Sequence, residues 1–499
     1  MRLKSKFGKL TTKATAIALA FVMTIPTAAF ANVDFGEYSE YPYTGMPEDD
    51  ITVDNLQSVL DEAIERGVPD AFIRHNLSEN LDILADSKID LNDGEKLPSI
   101  KISDVENSAG MHGLEIKKID TGLLARTKLY LGEYDFGKLE ASRLVYNMLA
   151  KKNLKAKAYL YLDDSEDAFA EIKIKRSGDS DWEKTKSYTV DVRGENLSGS
   201  HKVYLKVVAN EAVDTEGKII SKTGVNTNLF LESLFFIERS TPVLDFDLDS
   251  DFASMDAVNA SENHTVESTG DMITEIPGVD NDQKYELDYI RGRGNSTWKA
   301  SKKPYKVKLN KKADLFGMGA NKHWILLANY YDYTLLRNRF TFEIAKELGL
   351  NYTPESVCVN LVINGEYYGS YQLCEQIRVG KSRVDIDDLE ELEEGEDPAD
   401  PEIVTGGYLI NMGGSWLTSD GSEERITTTP YDFVIESPEY DADYSEKGKE
   451  AQLKYINNYF AIINKLISDL EPIESEEEEF EPTAFTTKDA LDDAEEVDE

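Results

Sequence analysis

The sequence predicts a multidomain chain in which a β-sandwich module of jelly-roll type is followed by an α+β domain. Three observations lead there. The 499 residues exceed what one ordinary domain uses. Between about residues 108 and 238 the apolar residues recur with period two, the mark of half-buried strands. From Arg291 onward a glycine-rich loop, a lysine-bearing strand, an amphipathic helix and a hairpin succeed one another.

The chain opens with Lys4, Lys6, Lys9 and Lys13, then the apolar run Ala14 to Ile25, then Ala29-Phe30-Ala31, a small-x-small cleavage pattern. That order fits a secretory signal peptide over residues 1–31, so the protein is expected to be secreted or at the cell surface after cleavage near Ala31. Thr15, Thr24, Pro26 and Thr27 keep the run short of the ~20 apolar residues a membrane span needs. Residues 32–107 form a lead-in. Within it Leu56, Val59, Leu60 and Ile64 predict a short helix over Val53 to Arg66, with Gly67 as its cap. Asp90-Leu-Asn-Asp93-Gly94 lacks the twelfth-position Glu of a calcium loop and predicts a turn.

The net charge of -41 keeps the surface repulsive toward nucleic acid and anionic lipid and makes both poor partner candidates, because phosphate binding needs clustered Lys and Arg. The acidic runs Asp385 to Glu402 and Glu471 to Glu499 supply much of the excess and predict a solvated loop and a disordered tail over 471–499. The five histidines, His75, His112, His201, His264 and His323, are scattered without ligand spacing, so no metal site is expected from them. The two cysteines, Cys358 and Cys374, flank an Asn364-Gly365 turn. A two-residue turn pairs Ile363 with Glu366 and sets Cys358 opposite Tyr371, with Cys374 on the other face, so no cross-strand disulfide is expected.

In the sandwich region the strands are Lys155 to Leu162, Ala170 to Lys175, Ser187 to Val192, His201 to Val208 and Leu229 to Ile237. Val203, Leu205 and Val207 share one face while Lys202, Tyr204 and Lys206 share the other. Tyr134-Asp-Phe-Gly137, Trp182, Ser198-Gly-Ser-His-Lys-Val-Tyr-Leu205 and Asn228-Leu-Phe-Leu-Glu-Ser-Leu-Phe-Phe236 make residues 108–238 resemble a family 6 carbohydrate-binding module. The resemblance implies polysaccharide as a partner. It points to Trp182 as the stacking aromatic and to Asn226 or Asn228 as the hydroxyl-binding amide.

The second domain spans 239–470. Its Asp245-Phe-Asp247 triplet precedes the glycine loop, the wrong order for the metal carboxylates of a kinase. Arg291 to Trp298 has the composition that lets backbone amides approach a phosphate. Lys306 and Lys308 then share one strand face. Leu336, Phe340, Ile344 and Leu348 stripe a helix over Tyr333 to Leu348 that bears Glu343 and ends at Gly349. The hairpin Val357 to Leu373 follows, and the chain leaves through Glu375 to Arg383-Val-Asp-Ile386. This is the order of parts in the N-terminal lobe of a kinase.

RGRGNSTW, KKPYKVKL, LFGM, WILLANYYDYTLLRN, NGEYYGSYQLCEQI and RVDI, in that order, resemble the CotH family of atypical secreted protein kinases. The resemblance implies a kinase-like α+β fold, ATP with Mg or Mn, and phosphorylation of Ser or Thr on exported coat or surface proteins. It carries over Arg291, Asn295 and Ser296 as loop donors. Lys306 or Lys308 becomes the phosphate-contacting cation, and Glu343 or Glu375 the carboxylate that orients it. The family's second lobe, with its Trp-Asp-Phe-Asp metal motif, has no counterpart here: Trp182, Trp298, Trp324 and Trp416 are not followed by Asp-Phe-Asp. The domain is therefore expected to be incomplete. A truncated product, a non-catalytic carbohydrate-binding or matrix protein, and a lobe completed by another chain all fit the sequence.

Overall fold

In the computed structural model of the chain, the described residues run from Pro69 to Ser468. Excepted are 73, 92, 94, 98, 107–111, 152–155, 178–185, 210, 214–218, 222–225, 278–281, 333, 393–394, 413–423, 428–432 and 441–443. The signal peptide, the 53–66 helix and the acidic tail lie outside the described residues. The chain divides into two compact units, one ending at Ile377 and the other beginning at Arg378.

The first unit contains the sandwich. Its strands are β1 (Lys101–Glu106), β2 (His112–Asp120), β3 (Thr127–Asp135), β4 (Ala141–Lys151), β5 (Ala156–Leu162), β6 (Ala170–Lys173), β7 (Tyr188–Asp191), β8 (Ser200–Ala209) and β9 (Asn226–Glu238). One sheet runs β7-β4-β9-β2-β1; the facing sheet runs β3-β8-β5-β6, with Lys88–Ile89 on its β3 edge. Alternation builds the space between them: Val203, Leu205 and Val207 of β8 meet Leu144, Tyr146 and Met148 of β4 and Leu229 and Leu231 of β9 in one apolar core. The β-sandwich expected from the period-two segments is therefore present.

The remaining strands of this unit are β10 (Val243–Leu248), β11 (Gly270–Glu275), β12 (Gln283–Gly292), β13 (Tyr305–Asp314), β14 (Ala320–Leu327), β15 (Ser356–Ile363) and β16 (Glu366–Glu375). They pair in the order β14-β13-β12-β11-β10-β15-β16, and β14 also pairs with β16, so seven strands close into a barrel. All neighbours are antiparallel except β10 and β15. Closure removes the exposed edges that an open sheet would present. The interior holds Phe246, Met272, Ile290, Val307, Trp324, Leu361 and Leu373. Two helices accompany the barrel, α1 (Met255–Ala260) and α2 (Arg337–Glu347). The lysine strand and the hairpin form where the sequence places them, whereas the helix expected from Tyr333 begins only at Arg337. Leu335 N donates to Asp332 O and Leu335 takes φ 59°, a turn no helix can include. The unit as a whole is mostly β with few helices.

Sandwich and barrel share a joint. The hairpin tip pairs with β7 through Glu366 opposite Tyr188, and Thr189 N donates to Gly365 O at 2.9 Å. Val145 and Ile237 of the sandwich pack on Val243 and Val362 of the barrel. Beside them the Arg143 guanidinium bonds Asp245 at 2.8 Å and also Glu275. Asp245 is thus a structural ion-pair partner.

The hairpin corrects one expectation. Asn364 (φ 51°) and Gly365 (φ 75°) make the predicted turn, and Ile363 faces Glu366. A register shift after Leu361 then inserts one extra residue at Tyr368, where Gly369 takes φ 95°. Cys358 therefore sits opposite Gln372 instead of Tyr371, and Cys374 opposite Ser356. The bulge brings both thiols to the same face as diagonal neighbours, ~7–8 Å apart by strand geometry. Both remain free.

The second unit holds a small antiparallel sheet of β17 (Leu409–Met412), β18 (Glu424–Arg425) and β19 (Phe433–Ser437), in the order β17-β19-β18. Ile426, Ile435 and Ile456 pack it on α3 (Glu446–Ser468). The acidic run 385–402 contributes turns and bends only among its described residues.

Candidate functional site

The Arg291–Trp298 loop leaves β12 at one end of the barrel. Its glycines answer to packing. An added Cβ on Gly292 would lie 2.4 Å from the Trp298 ring, and Gly294 sits at φ 85°. Trp298 is buried, donates from Nε1 to Ser261 O at 2.9 Å, and meets the His264 ring edge-on at 4.9 Å. Lys303 closes over it, its Nζ 2.6 Å from Trp298 O and 4.5 Å from the ring centroid. The loop is an indole-plugged turn that seals the barrel end.

Alternation sends the charged residues outward. Arg291 of β12, Lys306 of β13 and Ile325 of β14 are register partners on the outer face. Arg291 pairs with Glu267 at 3.2 Å and lies 4.9 Å from the Tyr289 ring centroid. Lys308, on the same face as Lys306, pairs with Asp288 at 2.5 Å. The expected loop donors Asn295 and Ser296 are exposed; the Asn295 side chain makes no cap bond to the short helical turn that follows it. Glu343 of α2 approaches Lys346 at 3.5 Å. Glu375 shares the inner face with Trp324 and accepts from Glu355 N at 2.9 Å. Of the expected set, the structure brings Arg291 and Lys306 together and aims Glu375 at the opposite side of the sheet.

One residue escaped the sequence reasoning. Arg293 follows β12, and its backbone N donates to Pro304 O. Its guanidinium has no ion pair among the described residues, and burial pulls its pKa below the ordinary arginine value, with only Cys374 opposing. The available signal was the Arg-Gly-Arg spacing, since residues two apart on a strand share a face. Beside it α2 rests on the barrel through a polar layer. Asn338 bonds Asn329 at 2.8 Å, Asn329 bonds Gln372 at 3.0 Å, and Gln372 bonds Ser356 Oγ at 2.9 Å. Arg339 Nη1 lies 3.9 Å from Cys358 Sγ. No residue of α2 is fully buried, so its apolar stripe contributes less packing than the pattern predicted.

For a divalent metal the donor set is poor: no cluster of three His, Cys, Asp or Glu side chains is disposed to hold one among the described residues. In the sandwich, Trp182 lies outside the described residues. Asn226 opens β9 opposite Asp120. Asn228 is engaged within the chain: its Nδ2 donates to Glu115 at 2.7 Å and its Oδ1 accepts from Lys118 N at 3.1 Å. No described helix is long and apolar enough to cross a membrane.

No curated protein matches the chain. Among solved structures, a family 6 carbohydrate-binding module studied by binding sub-site dissection matches at 10% identity, covering 34% of this chain and 95% of its own, with a TM-score of 0.22. A family 6 module, CBM6cm-2 from Cellvibrio mixtus lichenase 5A in complex with cellotriose, matches at 15% identity, covering 30% and 94%, with a TM-score of 0.18. A glycoside hydrolase family 43 arabinoxylan arabinofuranohydrolase from Bacillus subtilis matches at 16% identity over 28% of this chain and 24% of its own, with a TM-score of 0.20. Residues 290–481, which include the loop, the outer-face cations and α2, match the family described as CotH kinase protein.

Proposed function

We propose that this is an exported CotH-type kinase-like protein that takes the phosphate chain of ATP against the outer barrel face around Arg293, Arg291 and Lys306, for transfer to Ser or Thr of exported proteins. The supporting observation is Arg293. A half-buried guanidinium without a carboxylate partner among the described residues, in a chain of net charge -41, costs desolvation energy that an anionic ligand would recover. Arg291 and Lys306 would add charge from the same face, and the exposed Asn295 and Ser296 would offer donors from the loop. Mg or Mn, when bound, would neutralise charge between phosphates; no residue here is assigned to hold it. The test is calorimetric titration of the full chain with ATP in the presence of Mg or Mn. Binding is expected, weakened about tenfold or more in Arg293→Met. A wild-type protein that binds no ATP sinks the proposal.

A second reading is a polysaccharide-binding sandwich. A cavity of 330 Å³ lies on it, lined by Asn76, Asn80, Tyr130, Gly132, Glu133 and Tyr134. The partly exposed Tyr130 ring beside amides and a carboxylate suits a sugar's mixed surface, whereas Tyr134 lies in the sandwich core. Retention of the full chain on insoluble xylan or cellulose, lost in Tyr130→Ala, is expected; passage of the wild type through both columns removes this alternative.

A further inference from the structure

Lys302 lies just before β13 at the plugged end of the barrel and plays no part in the functions above. Its Nζ donates to the carbonyl oxygen of Ser370 and stands 4.6 Å from the centroid of the Tyr371 ring. No carboxylate pairs with it among the described residues, whereas Lys186 and Lys308 have Glu366 and Asp288. Nor can the neighbouring phenols serve as counter-ions. Burial raises the pKa values of Tyr305 and Tyr371, and both hydroxyls are committed as donors, to Asn259 Oδ1 and Lys303 O, each at 2.9 Å. Gly369, at φ 95°, lines the amine without a side chain; a Cβ there would stand 3.7 Å from Cε and 3.8 Å from Nζ.

We propose that Lys302 is a nucleophilic amine site that forms imines with small aldehydes. The surroundings match the reaction's demands. The Nζ lone pair attacks the carbonyl carbon, a C–N bond forms, and the C=O electron pair moves to oxygen, which takes a proton from nitrogen to give the carbinolamine. The hydroxyl then takes a proton from solvent and leaves as water while the nitrogen lone pair forms C=N, so the net change is amine plus aldehyde plus one proton to protonated imine plus water. The protonated imine keeps one N–H, which the Ser370 carbonyl accepts, and its positive charge lies over the Tyr371 face. The missing Gly369 side chain leaves the approach open. With no carboxylate paired to it among the described residues, burial lowers the Lys302 pKa to about 8, so a useful fraction is neutral near pH 7.

The test is limited reductive alkylation of the full chain with propanal and cyanoborohydride at pH 7, with each lysine's rate read by peptide mass spectrometry. Lys302 is expected to react about tenfold or more faster than the median lysine, with a midpoint near pH 8 in its rate profile. Lys302→Arg should remove the fast phase and leave the other lysines unchanged. A Lys302 rate at or below the median, including no reaction at all, overturns the proposal.

Discussion

Replacing Arg143 by Met tests whether the joint between sandwich and barrel depends on one buried cation. Arg143 comes from β4, Asp245 from β10 and Glu275 from β11, and the guanidinium serves both carboxylates. Arg143 is 8% exposed and Glu275 5% exposed, so neither charge can be handed to water. Removing one partner of a buried ion pair costs about 3–5 kcal/mol, because the carboxylates stay largely desolvated with only Arg193, 3.9 Å from Glu275, left to oppose their charge. For a unit this long that is roughly a 6–10 °C fall in Tm at about 2 °C per kcal/mol. The loss should depend on pH. Burial already raises the pKa values of Asp245 and Glu275 above their ordinary values, and losing Arg143 raises them further. An acid with a raised folded pKa contributes stability that is full below its unfolded pKa and lost as pH rises through the folded one. The deficit of Arg143→Met should therefore be larger at pH 7.5 than at pH 5. Adding Asp245→Asn and Glu275→Gln should recover most of it, since a neutral cluster has no charge to strand. Calorimetric Tm values of the three proteins at both pH values decide the matter. A fall below about 2 °C at pH 7.5, or a deficit that does not shrink at pH 5, refutes the reasoning.

His264 should make the loop acid-sensitive: burial, then Arg291, Arg293 and Lys303, lower its pKa. A group with a lowered folded pKa loses its stabilising contribution as pH falls below the unfolded value, ~6.5 for His, through the folded one. His264→Asn, which tolerates the backbone φ of 60°, should flatten the fall in Tm between pH 7.5 and 5.5, and parallel profiles would disprove the assignment. Gly292→Ala should cost about 1–3 kcal/mol by forcing its Cβ into the Trp298 ring. Urea unfolding followed by tryptophan emission measures this, and a cost within about 0.5 kcal/mol would mean that the indole moves aside freely.

The sequence reveals most where one face is wet. Alternation locates β8 because Val203, Leu205 and Val207 point to the core and Lys202 and Lys206 do not. The same rule fails on β4, whose residues from Ala141 to Ala150 are buried on both faces, so no period-two signal exists there. Barrel closure was equally hidden. The parallel pairing of Val243 with Asn360 joins residues 117 positions apart (360 minus 243), and no local pattern records such a contact. The Tyr368 bulge moved the cysteines by one register position because neither Tyr368 nor Gly369 announces an extra residue in an alternating run.

The Arg291–Trp298 motif separates what packing explains from what it leaves over. Gly292 is small because the indole lies on it, Gly294 turns the chain, and Trp298 plugs the barrel. Those roles would hold the motif in place without any ligand, so glycine content alone says nothing about phosphate. Arg291 has Glu267, and Lys303 has the Trp298 carbonyl. Arg293 has burial without an ion-pair partner among the described residues. A half-buried cation without a counter-charge costs free energy that an anionic ligand would return. If Arg293→Met raised Tm in the absence of ATP while weakening ATP binding, the cost of keeping that cation would be assigned to the ligand; a lowered Tm with unchanged binding would return Arg293 to the scaffold and leave the motif with packing roles only.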